Sequence, residues 1–221
     1  MTGLQPALGA GFGCGTIVGM DSALRPRRSV LFMPGANARA LEKARSIDCD
    51  GIIIDLEDAV APDLKVEARE RTAGVVRGHP YGYREVAIRV NGMDTQWYHD
   101  DLAAAVAAGP DAIAVPKVGS AEHVHAIVAD MEAAGADESV KLWAMIETPR
   151  AVLDCLDIAE ASDRLTVLIM GTNDLTKELR ASHVAGRAPV VTALQMCMLA
   201  ARAAGTAILD GVYNDVRDVE G

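Results

Sequence analysis

The sequence predicts an α/β fold in which parallel strands and helices alternate and close into a (β/α) barrel. From Ser29 onward, short β-branched runs alternate with alanine-rich stretches of helical periodicity, as in repeated βα units. The strand candidates are nearly continuous apolar runs, which is typical of parallel strands covered on both faces. They span residues 30–33, 51–55, 85–90, 111–115, 141–146, 165–170 and 206–209.

Polar or glycine-rich clusters follow most of these strands at their carboxyl ends, and they favour a barrel over an open doubly wound sheet. An open sheet concentrates its chemistry at the switch point, on a few strands. A barrel draws side chains from strands all around its mouth. The clusters span residues 34–37, 55–58, 89–92, 116–117, 147–148 and 171–174.

Helix signals support the same alternation. Asn37, Ser120 and Thr148 stand at N-cap positions, and Pro149 suits a first helical turn. The helical segments include residues 39–45, 64–76, 121–134, 151–161 and 190–204.

Composition and charge exclude several functional classes. The net charge of −10 argues against a nucleic-acid partner, because phosphate backbones select basic surfaces. Residues 1–20 lack the basic start of a secretory signal, and their glycines and prolines dilute them too much to span a bilayer. We predict a disordered tail over residues 1–25 and one domain over residues 26–221, with no membrane partner.

The four cysteines are far apart and form no C-x-x-C pair. A disulfide framework or a zinc ribbon needs closer, patterned spacing. We therefore expect reduced thiols in a cytoplasmic protein. The cysteines are Cys14, Cys49, Cys155 and Cys197.

Two acidic residues suggest a metal site. Glu147 and Asp174 follow consecutive strands, so their carboxylates could meet over the barrel mouth. Two carboxylates that leave most coordination positions to water and substrate describe a magnesium site. On spacing alone, the alternative is that Asp174 stabilises the first turn of a helix and Glu147 caps a solvated loop.

Arg89 ends the third strand between apolar neighbours, where an arginine is costly unless it faces an anion. That anion is either a substrate carboxylate or enolate, or an internal partner such as Asp55 or Glu57. These two acids lie on the same side of an extended strand end. They could support the metal and the arginine, or simply keep the loop solvated.

Lys117 follows the fourth strand and raises a rival mechanism. A lysine inside a barrel can form a Schiff base with a carbonyl substrate if burial lowers its pKa. The structural alternative is an ion pair with Glu147 or Glu57. A basic segment that includes Arg27 and Arg28 is a candidate anion site, or part of a solvated tail.

Motifs in a fixed order relate the chain to a known family. They span residues 28–35, 54–60, 89–92, 116–118, 145–148, 171–175 and 212–215. Over residues 26–221 the chain resembles the HpcH/HpaI aldolase/citrate lyase β superfamily, especially its citrate-lyase-β-like branch. The resemblance implies a TIM (β/α)8 barrel, here truncated before the eighth strand, because family members continue through a further helix, that strand and a C-terminal lid.

The resemblance implies a Mg²⁺-dependent carbon–carbon lyase. Glu147 and Asp174 would be the metal ligands and would bind substrate together with Arg89, which faces the reacting oxygen. Asp55 and Glu57 would support that catalytic group. The substrate would be a 3-hydroxyacyl thioester such as malyl-CoA, citramalyl-CoA or a citryl thioester, which is cleaved into an acyl thioester and an oxo acid.

The resemblance also implies a homo-oligomer of the trimer type, whose lid supplies a catalytic acid to a neighbouring subunit. Arg27 and Arg28 would lie near the phosphates of CoA. Two alternatives stay open: a Schiff-base aldolase that uses Lys117, and a non-catalytic β-type subunit bound in a larger complex. It is also open whether the thioester carrier is CoA or an acyl-carrier protein, and whether the net reaction is that of a lyase or of a thioesterase.

Overall fold

The structure, a computed structural model, describes residues 25–215 together with residues 217 and 218. Most of the predicted tail therefore lies outside the described residues. The seven predicted strands are confirmed to within one residue at each end. They are β1 (Val30–Pro34), β2 (Gly51–Asp55), β3 (Glu85–Arg89), β4 (Ala112–Val115), β5 (Lys141–Ile146), β6 (Leu165–Met170) and β7 (Ala207–Leu209).

The strands form one parallel sheet in which each strand pairs with the next one along the chain, from β1 to β7. Doubly wound sheets reverse their strand order at a switch point, and this sheet does not. Sequential order with crossover helices is the topology of a (β/α) barrel. The prediction of a TIM barrel truncated before its eighth strand is confirmed for the described residues.

Eight helices cover the sheet within the described residues. They are α1 (Ala38–Ala44), α2 (Lys65–Val76), α3 (Tyr98–Ala108), α4 (Ala121–Ala133), α5 (Pro149–Leu153), α6 (Cys155–Glu160), α7 (Thr172–Glu178) and α8 (Ala188–Ala204). The side chains of Asn37, Ser120 and Thr148 accept hydrogen bonds from first-turn amides, so the predicted caps are confirmed. The single helix predicted over residues 151–161 is wrong, because the backbone at Asp154 (φ −96°, ψ 15°) leaves the helical range between α5 and α6.

The sheet separates two hydrophobic clusters. The larger cluster fills the layer between the outer face of the sheet and the helices. The smaller cluster fills the barrel interior and contains Ile53, Ala87, Ala112, Ala114, Trp143, Met145, Val167 and Ile169. Along β5 the side chains alternate, with Trp143 and Met145 directed inward while Leu142 and Ile146 belong to the outer layer. Trp143 is fully buried and is the largest side chain of the interior.

A buried ion pair closes the amino end of the barrel. Glu85 is the first residue of β3, and its carboxylate accepts hydrogen bonds from Nε (2.6 Å) and Nη2 (2.8 Å) of Arg27. The Arg27 side chain is only 4% exposed, and its guanidinium lies 5.7 Å from the centre of the Trp143 ring. Arg89 is the last residue of the same strand, so Arg27 lies at the opposite end of the barrel from it.

Two further arginines pair with acids at the same end. Arg28 forms two side-chain hydrogen bonds with Asp50, just before β2, and Arg25 contacts Asp111, just before β4. Arg25 was expected to belong to the disordered tail. The expectation that Arg27 and Arg28 contact CoA phosphates is corrected: both lie at the amino end, far from the polar clusters at the carboxyl ends of the strands, and both have carboxylate partners.

Two expectations from composition can be compared with the described residues. Cys49, Cys155 and Cys197 are buried free thiols, whereas Cys14 lies outside the described part of the chain. None of the described helices is long and apolar enough to cross a membrane.

Candidate functional site

A cavity of about 350 Å³ opens at the carboxyl ends of the strands. Its walls come from β1, β2, β3, β5 and β6 and from the segments that follow β2, β6 and β7. They include Phe32, Asp55, Arg89, Met145, Glu147, Asp174 and Val212. The carboxyl-end face of a barrel is where the loops of successive strands converge, so residues distant in sequence meet here.

Arg89 and Asp55 form the centre of this face. They are paired in register on neighbouring strands, and the guanidinium binds both carboxylate oxygens from Nε and Nη2, each at 2.6 Å. Asp55 also accepts hydrogen bonds from the backbone amides of Glu57 (2.8 Å) and Ala59 (2.9 Å). Asp55 therefore fixes both the arginine and the loop after β2. Of the two alternatives for Arg89, the internal salt bridge is present.

Burial acts to lower the pKa of Arg89, but the hydrogen bonds and charge of Asp55, with Glu57 and Asp58, hold that pKa above its usual value. The guanidinium is therefore a permanent cation. Its Nη1 atom lies 2.8 Å from Oε2 of Glu57 and 3.7 Å from the sulfur of Met145. The ring of Phe32 lies 5.2 Å from the guanidinium carbon. Contacts on several sides thus fix the plane of the Arg89 guanidinium group at the wall of the cavity.

Glu57 is buried beside this arginine. Its Oε2 atom is within ion-pair distance of Arg89 but makes no hydrogen bond there. Burial, offset in part by Arg89 and reinforced by the charge of Asp58, raises the pKa of Glu57 to about 6. Glu57 therefore changes its protonation state closer to neutral pH than an ordinary glutamate does.

Glu147 is the first residue after β5 and is only 2% exposed. Its Oε1 atom accepts a hydrogen bond of 2.7 Å from the backbone amide of Lys117. Burial, followed by the charge of Glu57, raises the pKa of Glu147 to about 7, and the charge of Asp174 contributes in the same direction. Gly171 makes this position possible: a Cβ atom there would lie 2.3 Å from Cβ of Glu147.

Asp174 lies in the first turn of α7, beside the same cavity. Among the described residues, neither Asp174 nor Glu147 has a lysine or arginine nitrogen within 4.0 Å, although most other buried acids of this chain do. Carboxylates that line one cavity without an ion-pair partner are an unfavourable arrangement unless a proton or an external cation neutralises them.

These donors fit magnesium. Mg²⁺ prefers oxygen ligands and is usually held by one or two carboxylates, with water and substrate completing its shell. The part of the chain that the structure describes contains no group of three or more His, Cys, Asp or Glu side chains able to hold a metal. A magnesium site with two protein carboxylates, such as Glu147 and Asp174 could provide, does not need such a group.

Lys117 lies at the edge of the site rather than inside it. Its side chain is 54% exposed, and its Nζ atom is 3.8 Å from Oε1 of Glu57. The ion pair with Glu57 that the sequence allowed is therefore present. The contact with Glu147 is made by the backbone of Lys117 and not by its ammonium group.

A buried network behind the β2 loop escaped sequence reasoning. The ammonium group of Lys65 donates to the carbonyls of Leu56 (2.8 Å) and Glu57 (2.7 Å) and to the side chain of Asn91 (2.7 Å). Asn91 in turn contacts Asp101. The loop that carries Glu57 is therefore fixed from behind. The only sequence signal is a lysine at the start of an otherwise buried helix face, which is a weak one.

The structure thus brings together Arg89, Asp55, Glu57, Glu147 and Asp174 at one end of the barrel, and it places the other two predicted site residues, Arg27 and Arg28, at the opposite end.

Comparison with known proteins agrees with this arrangement. The model of the HpcH/HpaI aldolase/citrate lyase family matches residues 28–221. A (3S)-malyl-CoA thioesterase of Cereibacter sphaeroides is 48% identical over 202 residues, which are 91% of this chain and 68% of that protein. The citrate lyase subunit beta of Escherichia coli is 34% identical over 202 residues, covering 89% of this chain and 67% of that protein.

Solved structures show the same barrel. The citrate lyase beta subunit of Mycobacterium tuberculosis in complex with oxaloacetate and magnesium superposes with a TM-score of 0.73 at 28% identity, covering 91% of this chain and 85% of that one. A structure of the protein CitE from Mycobacterium tuberculosis with magnesium, acetoacetate and coenzyme A gives a TM-score of 0.70 at 29% identity, covering 87% and 68%. Magnesium is thus a cofactor of these proteins, and the chain described here belongs to the HpcH/HpaI aldolase/citrate lyase family.

Proposed function

We propose that this chain carries a magnesium-dependent carbon–carbon lyase site for a 3-hydroxyacyl-CoA thioester of the malyl-CoA type. The observation that carries the proposal is the pair Glu147 and Asp174, two carboxylates without a cation beside a buried, oriented arginine. The names of the relatives support the thioester substrate, and the magnesium in solved relatives supports the cation.

Glu147 and Asp174 would hold the metal. When bound, Mg²⁺ supplies Lewis-acid polarisation and a template for the α-oxygen and carboxylate of a hydroxy or oxo acid. Glu147 is suited to this role because its Oε1 atom is already held by the amide of Lys117, which leaves Oε2 for the cavity. The position of Asp174 in the first turn of α7 fixes the second carboxylate against the same wall.

Arg89 would stabilise negative charge at the reacting oxygen. When the hydroxyl group of a malyl thioester loses its proton and the adjacent carbon–carbon bond breaks, an oxo acid and the enolate of an acyl thioester form. The negative charge moves onto the enolate oxygen, and the enolate then takes up one proton to give the acyl thioester. A preorganised cation that needs no reorientation lowers the barrier to such a step. Asp55 and Glu57 act through Arg89, because both bind its guanidinium and fix its plane.

Hydrolysis of the thioester is a second candidate reaction. It is favoured by the 48% identity to a (3S)-malyl-CoA thioesterase. It would use the same metal and the same arginine, with water as the attacking group. The two reactions differ in products: the lyase releases an acyl-CoA and an oxo acid, whereas the hydrolase releases free CoA and the hydroxy acid.

The Schiff-base alternative has less support. Its nucleophile must be an uncharged amine, which burial in an apolar pocket produces. The Lys117 side chain is instead half exposed and paired with Glu57. A non-catalytic subunit is also less favoured, because all the proposed ligands are present at one cavity. The trimeric state, the cytoplasmic location and the single domain over residues 26–221 remain predictions.

The experiment is a product assay with malyl-CoA, methylmalyl-CoA and citramalyl-CoA, in the presence of Mg²⁺ and then of EDTA. We expect turnover of at least one thioester that stops with EDTA and returns with Mg²⁺. Quantifying oxo acid against free CoA decides between lyase and thioesterase. Activity that survives EDTA but is lost on borohydride treatment with substrate would overturn the proposal in favour of Lys117 chemistry.

A further inference from the structure

Lys117 has an unusual backbone conformation. Its φ angle is +56°, in the left-handed region that side chains with a Cβ atom rarely adopt. Glycine adopts this conformation without steric cost, so it is the residue expected at such a position. Three other described residues with a Cβ atom, His79, Arg180 and Arg187, also have positive φ angles, so the contacts of Lys117 and not its φ angle alone must show its role.

The left-handed turn aims the backbone amide of Lys117 at the site. The amide donates to Oε1 of Glu147 at 2.7 Å, which is the distance of a strong, charge-assisted hydrogen bond. Glu147 is almost fully buried and has no cation within ion-pair distance among the described residues. This amide is therefore a main determinant of the orientation of the Glu147 carboxylate.

The side chain of the same residue reaches a second carboxylate. Nζ of Lys117 lies 3.8 Å from Oε1 of Glu57, and Nη1 of Arg89 lies 2.8 Å from the other oxygen, Oε2. The Glu57 carboxylate is thus held between two cations. A glycine at position 117 would retain the amide contact with Glu147 but would lose this second contact.

We propose that Lys117 is a positioning residue that couples the two halves of the site: its amide orients Glu147, and its ammonium group orients Glu57 and, through it, Arg89. The inference rests on the proposed function for its catalytic consequence, but its geometric part does not. The strain at Lys117 is retained because one residue serves both carboxylates.

The geometric part is tested by hydrogen exchange of the Lys117 amide in the wild type and in Glu147→Ala. Removing the acceptor should accelerate exchange of this amide by about tenfold or more. Amides of β4, such as that of Ala114, serve as the internal control and should keep their protection. Unchanged exchange at Lys117 would show that Glu147 does not hold the turn, and the proposal would be overturned even if no substrate of the enzyme were known.

The functional part is tested with Lys117→Gly, Lys117→Met and Lys117→Arg. Glycine relieves the left-handed strain, so the melting temperature should stay within about 2 °C of the wild type or rise. The kcat of Lys117→Gly and of Lys117→Met should nevertheless fall by about tenfold or more, because a misplaced carboxylate and arginine slow the step itself. KM should change less than kcat, and Lys117→Arg, which retains the charge, should recover much of the rate.

His79 supplies the matched control. It is exposed, has φ +45° and precedes β3 at the amino end of the barrel, away from the site. His79→Gly should match Lys117→Gly in its effect on melting temperature while leaving kcat unchanged. If Lys117→Gly keeps kcat within about twofold, or if its melting temperature falls together with kcat, Lys117 has no more than a structural role. A wild type that turns over none of the thioesters refutes the proposed function, and the exchange experiment alone then decides on Lys117.

Discussion

The two ends of the barrel are built from the same strands but differ in how their buried carboxylates are paired with cations. At the amino end, the buried carboxylate of Glu85 is hydrogen-bonded by Arg27 and also lies 3.9 Å from Nε of Arg25, so its charge is matched by cations. At the carboxyl end, Arg89 contacts two buried carboxylates and Lys117 reaches one of them at 3.8 Å, but Glu147 lacks any cation within ion-pair distance among the described residues.

This difference separates stability from function. At the paired end, loss of one partner leaves a buried charge and lowers stability, whereas an end with a buried carboxylate that lacks an ion-pair partner has a place for an external cation. Natural proteins concentrate such locally unfavourable arrangements at functional sites. The raised pKa values of Glu57 and Glu147 are both caused first by burial, and at Glu147 the charges of Glu57 and Asp174 act in the same direction.

Replacing Arg89 should have the largest effect. Arg89→Lys retains the charge but loses the planar fork that binds both oxygens of Asp55. We expect kcat to fall by at least ~100-fold, the usual scale for losing a preorganised oxyanion donor. Steady-state kinetics with saturating Mg²⁺ measure this change. A rate within a factor of two of the wild type would mean that Arg89 is only structural.

Arg27→Met tests the opposite end. It removes both hydrogen bonds to the buried Glu85 and leaves only the 3.9 Å contact with Arg25, so the free energy of unfolding should fall by about 3 kcal/mol. The kcat measured well below the melting temperature should be unchanged. Urea denaturation gives the stability, and the double variant Arg27→Met with Glu85→Met is the control, because removing both charges should restore much of the loss. A loss of kcat in folded Arg27→Met would contradict the separation of the two ends.

Glu147→Gln and Asp174→Asn test the excess carboxylates. Each should weaken Mg²⁺ binding by at least ~100-fold, since loss of even an outer-shell partner of a metal often costs 10–100-fold. Without metal, neither variant should unfold more easily than the wild type, because each removes an unpaired charge. Calorimetric titration with Mg²⁺ and thermal unfolding measure the two quantities. Unchanged affinity in both variants would remove the metal site.

The smallest effect is expected for Arg28→Ala. Its partner Asp50 is bound by two side-chain hydrogen bonds, but the Arg28 side chain is 82% exposed. Ion pairs in contact with water contribute little, so the melting temperature should stay within ~2 °C and kcat should not change. A thermal scan at low and at high salt checks this. A large, salt-sensitive shift would show that the amino end depends on its outer pairs as well.

The strands and most of the site could be predicted because both follow from local pattern. Continuous apolar runs mark parallel strands, and the residue after each run marks the mouth of a barrel, which is how Arg89 and Glu147 could be found. The kink at Asp154 could not be predicted, because residues 151–161 have uninterrupted helical periodicity. The helix breaks there because the φ and ψ angles of Asp154 leave the helical range, and the side-chain pattern does not record those angles. Likewise, nothing in the sequence distinguishes the left-handed Lys117 from an ordinary loop lysine.

The misplacement of Arg27 and Arg28 has a different cause. A basic cluster next to a strand predicts an anion partner but not which end of the strand it faces. Three-dimensional proximity makes Glu85 the partner of Arg27, since Glu85 begins β3, in register with Gly51 of β2, and Arg27 reaches it from the segment before β1. Charge pattern alone therefore identifies that a partner exists, and only the fold identifies which one.

Trp143 imposes a constraint on how this interior can evolve. It lies in register between Ala114 on β4 and Val167 on β6, and the neighbouring inward residues of β3 and β4 are the alanines Ala87 and Ala112. Because the interior is close-packed, the inward side chains around Trp143 share a fixed volume. The large indole ring therefore fits only where the neighbouring side chains are small. Drift at position 143 towards a smaller residue should therefore be accompanied by enlargement at positions 87, 112 or 114. In homologous barrels these positions should covary as a set, independently of which thioester the mouth selects.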